Sequence, residues 1–451
     1  LIRKGFIYTI TIDDIGHKGE GVGKINGIPV FVDGGIPGDE LKIRTTKVKK
    51  NYAFGELKEI LKPSKDRVTP RCPLADSCGG CQIMQMDYTA QLKIKKNRVQ
   101  ETLKRIGKIH SPVFDVIGME EPYEYRNKAQ FPIGWKGNRP VMGFYRSGSH
   151  EIVDTNRCFI QDPVNNKLLS FMKGFILDYG LSVYDEHTGK GLLRHFITRV
   201  SQWNGDVMVI VVLNGQEIPH QETLIKEILQ LEPKIKTIAV NRNLKKTNVI
   251  YGEETEVIYG EGYIVDRLGE REFMISPRSF FQVNSIQTEV LYKTALDYCD
   301  LTGEETVIDL YCGIGTISLF LTEKAKKVYG IEIVPEAIED AKRNCRLNGI
   351  ENAEFLLGKA EEEAPKLFEQ GVSADVVVVD PPRKGCEEKV LETIVEMEPK
   401  KIVYVSCNPS TLARDLEILE GKGYETKRVQ PVDLFCHSAH IETVTLLTKR
   451  G

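Results

Sequence analysis

The chain has 451 residues, more than one core of about 100–200 residues would hold, so two or three domains are expected. Hydrophobic residues make up 41% and charged residues 28%, a globular composition that excludes a disordered, collagenous or coiled-coil chain. The net charge of −3 conceals a basic front, 27 Lys+Arg against 18 Asp+Glu in residues 1–160, and an acidic remainder with 34 against 46, which predicts that the front meets a polyanion.

Residues 1–61 read as a small β-barrel. The alternating runs Phe6–Ile12, Ile28–Val32, Leu41–Val48 and Ala53–Ile60 are separated by glycine-rich turns at Gly19–Gly23 and Gly34–Asp39. Barrels of this size often bind nucleic acid. Lys47, Lys49 and Lys50 beside Tyr52 and Phe54 supply the cations and rings that phosphate contact and base stacking need; a charged edge strand guarded by lysines is the plainer alternative. Cys72, Cys78 and Cys81 follow within ten residues, with Cys158 far downstream. Four thiolates split three and one lean toward an iron–sulfur cluster, since structural zinc usually uses two short pairs. The other six cysteines are scattered through the last third, and nothing suggests a disulfide scaffold.

Residues 88–106 are predicted helical, with Leu92, Val99, Leu103 and Ile106 as the apolar stripe and Lys93, Lys95, Lys96, Arg98, Lys104 and Arg105 elsewhere. Residues 113–265 are expected to be strands and turns. From about residue 285 helices and strands alternate, and Thr306–Tyr311, Val376–Asp380 and Lys401–Ser406 are short apolar runs. That pattern predicts an α/β fold with a doubly wound parallel sheet, whose ligands bind at the carboxyl ends of its strands.

Two constellations lie at those ends. In Asp309-Leu-Tyr311-Cys-Gly313-Ile-Gly315-Thr316 the glycines let backbone approach a ligand closely, and Glu332 at the next strand end can accept ribose hydroxyls. The spacing departs from the dinucleotide fingerprint and suits S-adenosylmethionine better than NAD. The second joins Asp380-Pro-Pro-Arg383, Ser406-Cys407-Asn408-Pro409 and Cys436-His-Ser-Ala-His440-Ile-Glu442. A cysteine at a strand rim can be a nucleophile, although after an apolar strand it is more often a small buried hydrophobe. A carboxylate in an apolar run gains proton affinity, which suits a general base.

In sum the chain resembles the RNA uracil-5-methyltransferase family, in particular its iron–sulfur-containing 23S ribosomal RNA branch. The likeness rests on Phe280-Phe-Gln282-Val-Asn284, Asp309-Leu-Tyr-Cys-Gly, Asp380-Pro-Pro-Arg383, Ser-Cys407-Asn-Pro and His440-Ile-Glu442 in order, together with the four cysteines and the barrel. The resemblance implies a TRAM barrel at 1–61, a β-rich central iron–sulfur and RNA-binding domain at 62–270, onto whose catalytic neighbour helix 88–106 folds back, and a class I methyltransferase domain at 271–451. It implies Cys407 as nucleophile and Glu442 as base, with Gln282, Tyr311, Glu332 and Asp380 contacting S-adenosylmethionine. It also implies a [4Fe–4S] cluster on Cys72, Cys78, Cys81 and Cys158, and carbon 5 of a loop uridine in 23S ribosomal RNA as the target. Thr316 stands where some relatives carry Asn, so its contact is left open.

Arg126, Lys128 and Arg146 are expected RNA contacts, with surface ion pairing as the alternative for each. Transfer RNA is the rival substrate and a non-catalytic RNA-binding protein the rival class; a radical enzyme needs a Cys-x3-Cys-x2-Cys motif that is absent. No apolar run approaches the roughly 18 residues of a membrane helix and the opening residues do not read as a signal peptide. A cytoplasmic monomer without membrane partner is therefore expected, and Leu1 suggests that the natural start is missing.

Overall fold

Alternating burial along the first sixty residues builds a closed barrel. Its strands are β1 (Ile7–Ile15), β2 (Gly21–Ile25), β3 (Ile28–Val32), β4 (Glu40–Val48) and β5 (Ala53–Lys62), in the order β1-β2-β3-β5-β4. The computed structural model describes residues 2–451. Ile10, Ile12, Val30, Val32, Leu41 and Ile43 fill the barrel. Part of the expected Gly19–Gly23 turn is strand β2, because its glycines serve close approach: a Cβ at Gly23 would run into the Thr11 carbonyl, and one at Gly21 into the backbone of Gly35. Phe31, Tyr52 and Phe54 form a ring cluster on the barrel, with centroids 5.6–6.1 Å apart.

Helix α1 (Tyr88–Thr102) starts on the Asp87 side chain, which accepts from the amides of Thr89 and Ala90, and runs on through a π turn at Leu103–Gly107. Val99 and Leu103 of the expected stripe are buried, whereas Ile106 is exposed and Lys95 takes a buried place instead. The helix packs against the last helix of the chain, α9 below.

The central sheet has the order β12-β11-β10-β9-β6-β7-β8. Its strands are β6 (Lys128–Lys136), β7 (Arg139–Tyr145), β8 (Ile152–Asp154), β9 (Leu193–Val200), β10 (Val207–Leu213), β11 (Ile235–Arg242) and β12 (Glu254–Gly260). Contrary to the expectation of strands and turns alone, α2 (Pro163–Asp178) and α3 (Gln221–Leu231) interrupt this region. Leu168, Leu169, Met172, Phe175 and Ile176 have helical spacing, and Asp162-Pro163 is a cap followed by a first-turn proline. These side chains cover the sheet that β10 crosses, where all seven residues are buried.

A hairpin of β13 (Ile264–Leu268) and β14 (Arg271–Ile275) leads into the last unit. There α4 (Ser285–Cys299) precedes β15 (Thr306–Leu310), α5 (Thr316–Leu321), β16 (Lys327–Glu332), α6 (Pro335–Leu347) and β17 (Ala353–Leu357). The chain continues through α7 (Ala360–Glu369), β18 (Val376–Val379), α8 (Glu388–Glu396), β19 (Lys401–Ser406), α9 (Pro409–Gly421), β20 (Tyr424–Val432) and β21 (Glu442–Lys449). The sheet order is β17-β16-β15-β18-β19-β21-β20, parallel except for β21. One apolar layer, with α4, α5 and α6, covers one face, and a second, with α7, α8, α9 and α1, covers the other. The order of strand addition reverses between β15 and β18, which run parallel, and this is the switch point that opens a crevice in such sheets. No helix among the described residues is long and apolar enough to cross a membrane.

Candidate active site

A cleft of about 1100 Å³ opens at that switch point, and Gln282, Tyr311, Glu332, Asp380, Cys407 and Glu442 all line it. Each comes from a different strand end or from the segment before α4. After β15 the chain turns through Tyr311, Gly313 and Gly315, all with positive φ, of which 67° at Tyr311 is a strained value for a side-chain-bearing residue. The turn is held from both sides. Glu332 Oε2 accepts from Gly313 N at 3.1 Å, and Asn344 Nδ2 donates to Ile314 O at 3.1 Å. The other oxygen of Glu332 accepts from Val334 N at 2.9 Å, so the carboxylate bridges two strand ends. Thr316 also lines the cleft and shares a hydrogen bond with the Tyr292 hydroxyl.

Cys407 stands between β19 and α9. Asn408 caps α9 by accepting from Ser410 N, and its amide donates to Arg383 O at 3.0 Å, tying the Cys407 segment to the Asp380-Pro-Pro-Arg383 loop. Gln282 is brought in from outside the sheet: Asn127, just before β6, donates through Nδ2 to Gln282 O at 2.9 Å and through its backbone N to Val283 O at 2.8 Å.

Acids line the cleft at Glu332, Asp380 and Glu442, and Asp309 is buried beneath it without reaching its wall. Burial pushes the Asp309 and Asp380 carboxyls up to about 7, Asp309 further by the charges of Asp380 and Glu332. Burial and Asp380 drive Glu442 well above the carboxylate range, against the pull of Arg383. Burial, then Glu442 and Asp380, push the Cys407 thiol up to about 11, with Arg383 again opposing. His440 borders the cleft as a neutral imidazole, held down to about 4 by desolvation and by Arg383 and Arg98. The arrangement can hold a nucleoside-like cation among carboxylates and present a thiol and a proton acceptor to one substrate.

Cys72, Cys78, Cys81 and Cys158 come together around a separate cavity of about 220 Å³. Asn166 fixes Cys158 by accepting from its N at 2.7 Å and donating to its carbonyl, while Gly79 N donates to Tyr145 O to seat the other three. All ten cysteines are free thiols. Among the described residues no group of three or more His, Cys, Asp or Glu side chains is placed to hold a metal ion, so the expected ligand set of these four cysteines is not shown. Lys128 and Arg126 share its wall, and neither forms an ion pair among the described residues. Arg126 also lines the larger cleft, and its Nε has no partner among the described residues. Arg146 lies apart from the cleft, exposed and paired with Glu151 at 2.8 Å.

Sequence reasoning passed over Asn127 (which holds Gln282), Phe435 (which lines the cleft) and the buried pair of Lys95 and Asp433, in which Lys95 Nζ reaches Asp433 Oδ1 at 2.6 Å. A lysine in a basic helix has no local signal for burial. Asn127 directly follows Arg126 in a segment already singled out.

Comparison with known proteins gives these features a context. A family model described as tRNA (uracil-5-)-methyltransferase matches residues 87–450, and a TRAM domain model matches residues 3–58. An uncharacterized RNA methyltransferase of Halalkalibacterium halodurans is 51% identical over 447 residues, 99% of this chain and 98% of the relative. One of Clostridium tetani is 49% identical over 450 residues, 100% of this chain and 98% of the relative. The crystal structure of the Pyrococcus abyssi tRNA (uracil-54, C5)-methyltransferase in complex with S-adenosyl-L-homocysteine superposes with a TM-score of 0.78 at 27% identity, covering 98% of this chain and 100% of that one.

Proposed function

The chain belongs to the RNA uracil-5-methyltransferase family, and from that premise we propose that it methylates carbon 5 of one uridine in 23S ribosomal RNA with S-adenosylmethionine, through a covalent cysteine adduct. The supporting observation is the meeting of Cys407, Asp380 and Glu442 with the glycine turn and Glu332 in one cleft.

When bound, S-adenosylmethionine supplies a methyl group on a cationic sulfur. The residues present fit it: Glu332 beside the glycine turn suits the ribose, and the surplus of carboxylates suits the positive charge. Gln282, Tyr311, Glu332 and Asp380 are the residues assigned to hold it. Cys407 adds through sulfur to carbon 6 of uracil, opening the 5,6 double bond into an enolate whose electron density lies at carbon 5. Arg383, the cation that opposes the upward push on the Cys407 thiol, stabilises the thiolate as the base enters. Once carbon 5 carries the methyl group, Glu442 removes the remaining proton there. The double bond re-forms and the Cys407 sulfur leaves as thiolate. Burial makes Glu442 a strong base for that step. The uridine must leave its stack to reach the cleft, at a cost of about a few kcal/mol, less in a loop.

In the same reading Cys72, Cys78, Cys81 and Cys158 hold a [4Fe–4S] cluster as thiolates, with no redox part in the methyl transfer. Four thiols around one cavity, with Arg126 on its wall and Lys128, which burial and then Arg199 and Arg126 hold down to about 7 until an anion is present, support it. Residues 1–61 serve as the RNA-binding barrel, 62–270 as the cysteine and RNA-binding region and 271–451 as the methyltransferase of a monomeric enzyme. The cysteines beside a TRAM barrel favour ribosomal RNA by resemblance; the family description and the Pyrococcus abyssi neighbour favour transfer RNA.

The test is covalent trapping with S-adenosylmethionine and RNA carrying 5-fluorouridine, whose fluorine cannot leave as a proton does. A denaturation-resistant adduct with a 23S ribosomal RNA fragment, lost in Cys407→Ala, is expected. An adduct with transfer RNA alone replaces the substrate and keeps the mechanism. Tight RNA binding without any adduct leaves a non-catalytic binding protein.

A further inference from the structure

Several distant parts of the chain converge on the segment 433–440, which joins β20 to β21 and leads into Glu442. Gln82 directly follows Cys81. Its Oε1 accepts from Ala439 N at 3.1 Å, and its Nε2 donates to Gly79 O at 2.5 Å within the cysteine loop. Ile83 N donates to His437 O at 3.1 Å. Tyr88, Gln91, Lys95 and Arg98 lie along one face of α1 at helical spacing. Tyr88 donates to Asp433 Oδ2 at 3.0 Å, and Gln91 Oε1 accepts from His437 N at 3.2 Å. Lys95 donates to Asp433 Oδ1 at 2.6 Å and Phe435 O at 3.1 Å, and Arg98 donates to Ala439 O at 2.5 Å.

The barrel reaches the same point, where a side chain on Gly19 would overlap Gln82 and touch Ala439. Cys436 packs in one apolar cluster with Cys72, Cys81 and Cys158. His437 has a φ of 65°, a left-handed conformation that a histidine holds only when its surroundings impose it.

We propose that Gln82 is a positioning residue that ties the cysteine site to the cleft wall, so that an ordered cysteine loop, together with α1, sets the place of His440 and Glu442. The proposal rests on the reading of Glu442 as base and of the four cysteines as ligands. It gives the cluster a task in a reaction that has no redox step. Loss of the group held by Cys81 loosens Gly79 to Ile83, releases Ala439 and His437, and frees the base-bearing segment to leave its productive position.

Hydrogen exchange of the peptide spanning 433–441, measured on the iron-loaded full chain, tests this. Gln82→Leu is expected to raise exchange there about tenfold, the worth of one hydrogen bond, with iron content unchanged. The methylation kcat is expected to fall by a similar factor at constant KM for RNA. Gln82→Glu, which keeps the acceptor for Ala439 N but loses the donor to Gly79 O, restores both readouts only in part. Removing iron from the wild-type protein raises the same exchange, with no further rise in Gln82→Leu. Unchanged exchange in Gln82→Leu overturns the proposal, as does a wild-type segment indifferent to iron removal. A wild-type protein that never holds iron overturns the link to the cysteine site. If the exchange pattern appears but no Cys407 adduct forms, the tie stands and the catalytic reading falls.

Discussion

The candidate cleft and the cysteine cavity are both lined by buried ionisable groups, but their charge is balanced in opposite ways. In the cleft Asp380 and Glu442, with Asp309 buried beneath them, raise their own or each other's proton affinity, with Arg383 the opposing cation near Cys407 and Glu442. In the cavity Arg126 and Lys128 stand beside four thiols with no carboxylate paired to them among the described residues. Buried charge without compensation is costly, so each lining describes its occupant: surplus acid suits a cation and surplus base an anion. Arg126 belongs to both linings, which places the two sites on either side of one side chain.

The largest expected effect is on the acid side of this contrast. Glu442→Gln should lower turnover by roughly 10²–10⁴-fold while a covalent adduct builds up on ordinary RNA, because the step lost follows addition. Denaturing gels of single-turnover reactions check it, and normal adduct release would remove Glu442 from the role of base.

Next comes the buried pair between the two sites. Lys95 and Asp433 are 2% and 0% exposed, so Lys95→Met strands a carboxylate and should cost about 3–5 kcal/mol in urea unfolding. Combining it with Asp433→Leu should recover most of that loss, and failure to recover would give the pair a role beyond mutual neutralisation.

A pH experiment sharpens the comparison further. Asp309 holds its proton up to about 7 in the folded chain, whereas an unfolded carboxyl gives it up near pH 4. Between those values the folded state binds more protons, so the contribution is full below about pH 4 and declines as the pH rises to about 7. Asp309→Asn cannot ionise and should gain up to about 4 kcal/mol relative to the parent at about pH 8, but not at about pH 4. Urea unfolding at both pH values decides it, and an equal gain at both would assign the effect to packing.

The smallest effect is expected on the surface. Arg146→Ala removes an exposed pair with Glu151 and should change stability by less than about 1 kcal/mol, as urea unfolding would show. A larger loss would mean that the Arg146 side chain, beyond the backbone bridge its residue makes to Cys78, holds the cysteine loop.

The barrel and the parallel sheet were readable because alternation and short apolar runs are set by neighbouring residues. The glycine turn, Asp380-Pro-Pro-Arg383 and Ser-Cys407-Asn-Pro were readable for the same reason, each being a strand end followed by its own loop. Helices α2 and α3 were missed although Leu168 to Ile176 carry the helical spacing, because the strand-like runs around them dominated the region. Helix α1 misled in a different way. Its lysines resemble a solvated face, yet the partner that buries Lys95 lies 338 residues along the chain.

By itself, the sequence determined the strand ends and turns that carry the candidate residues and that a barrel precedes a parallel sheet, since motif spacing and periodicity are local properties. Only the tertiary structure decided that the six cleft residues share one space, that Arg126 faces both sites, and that Gln82 touches Ala439. Long-range contacts of that kind arise from chain folding in three dimensions, where a buried polar group is satisfied by whatever partner the packing brings to it.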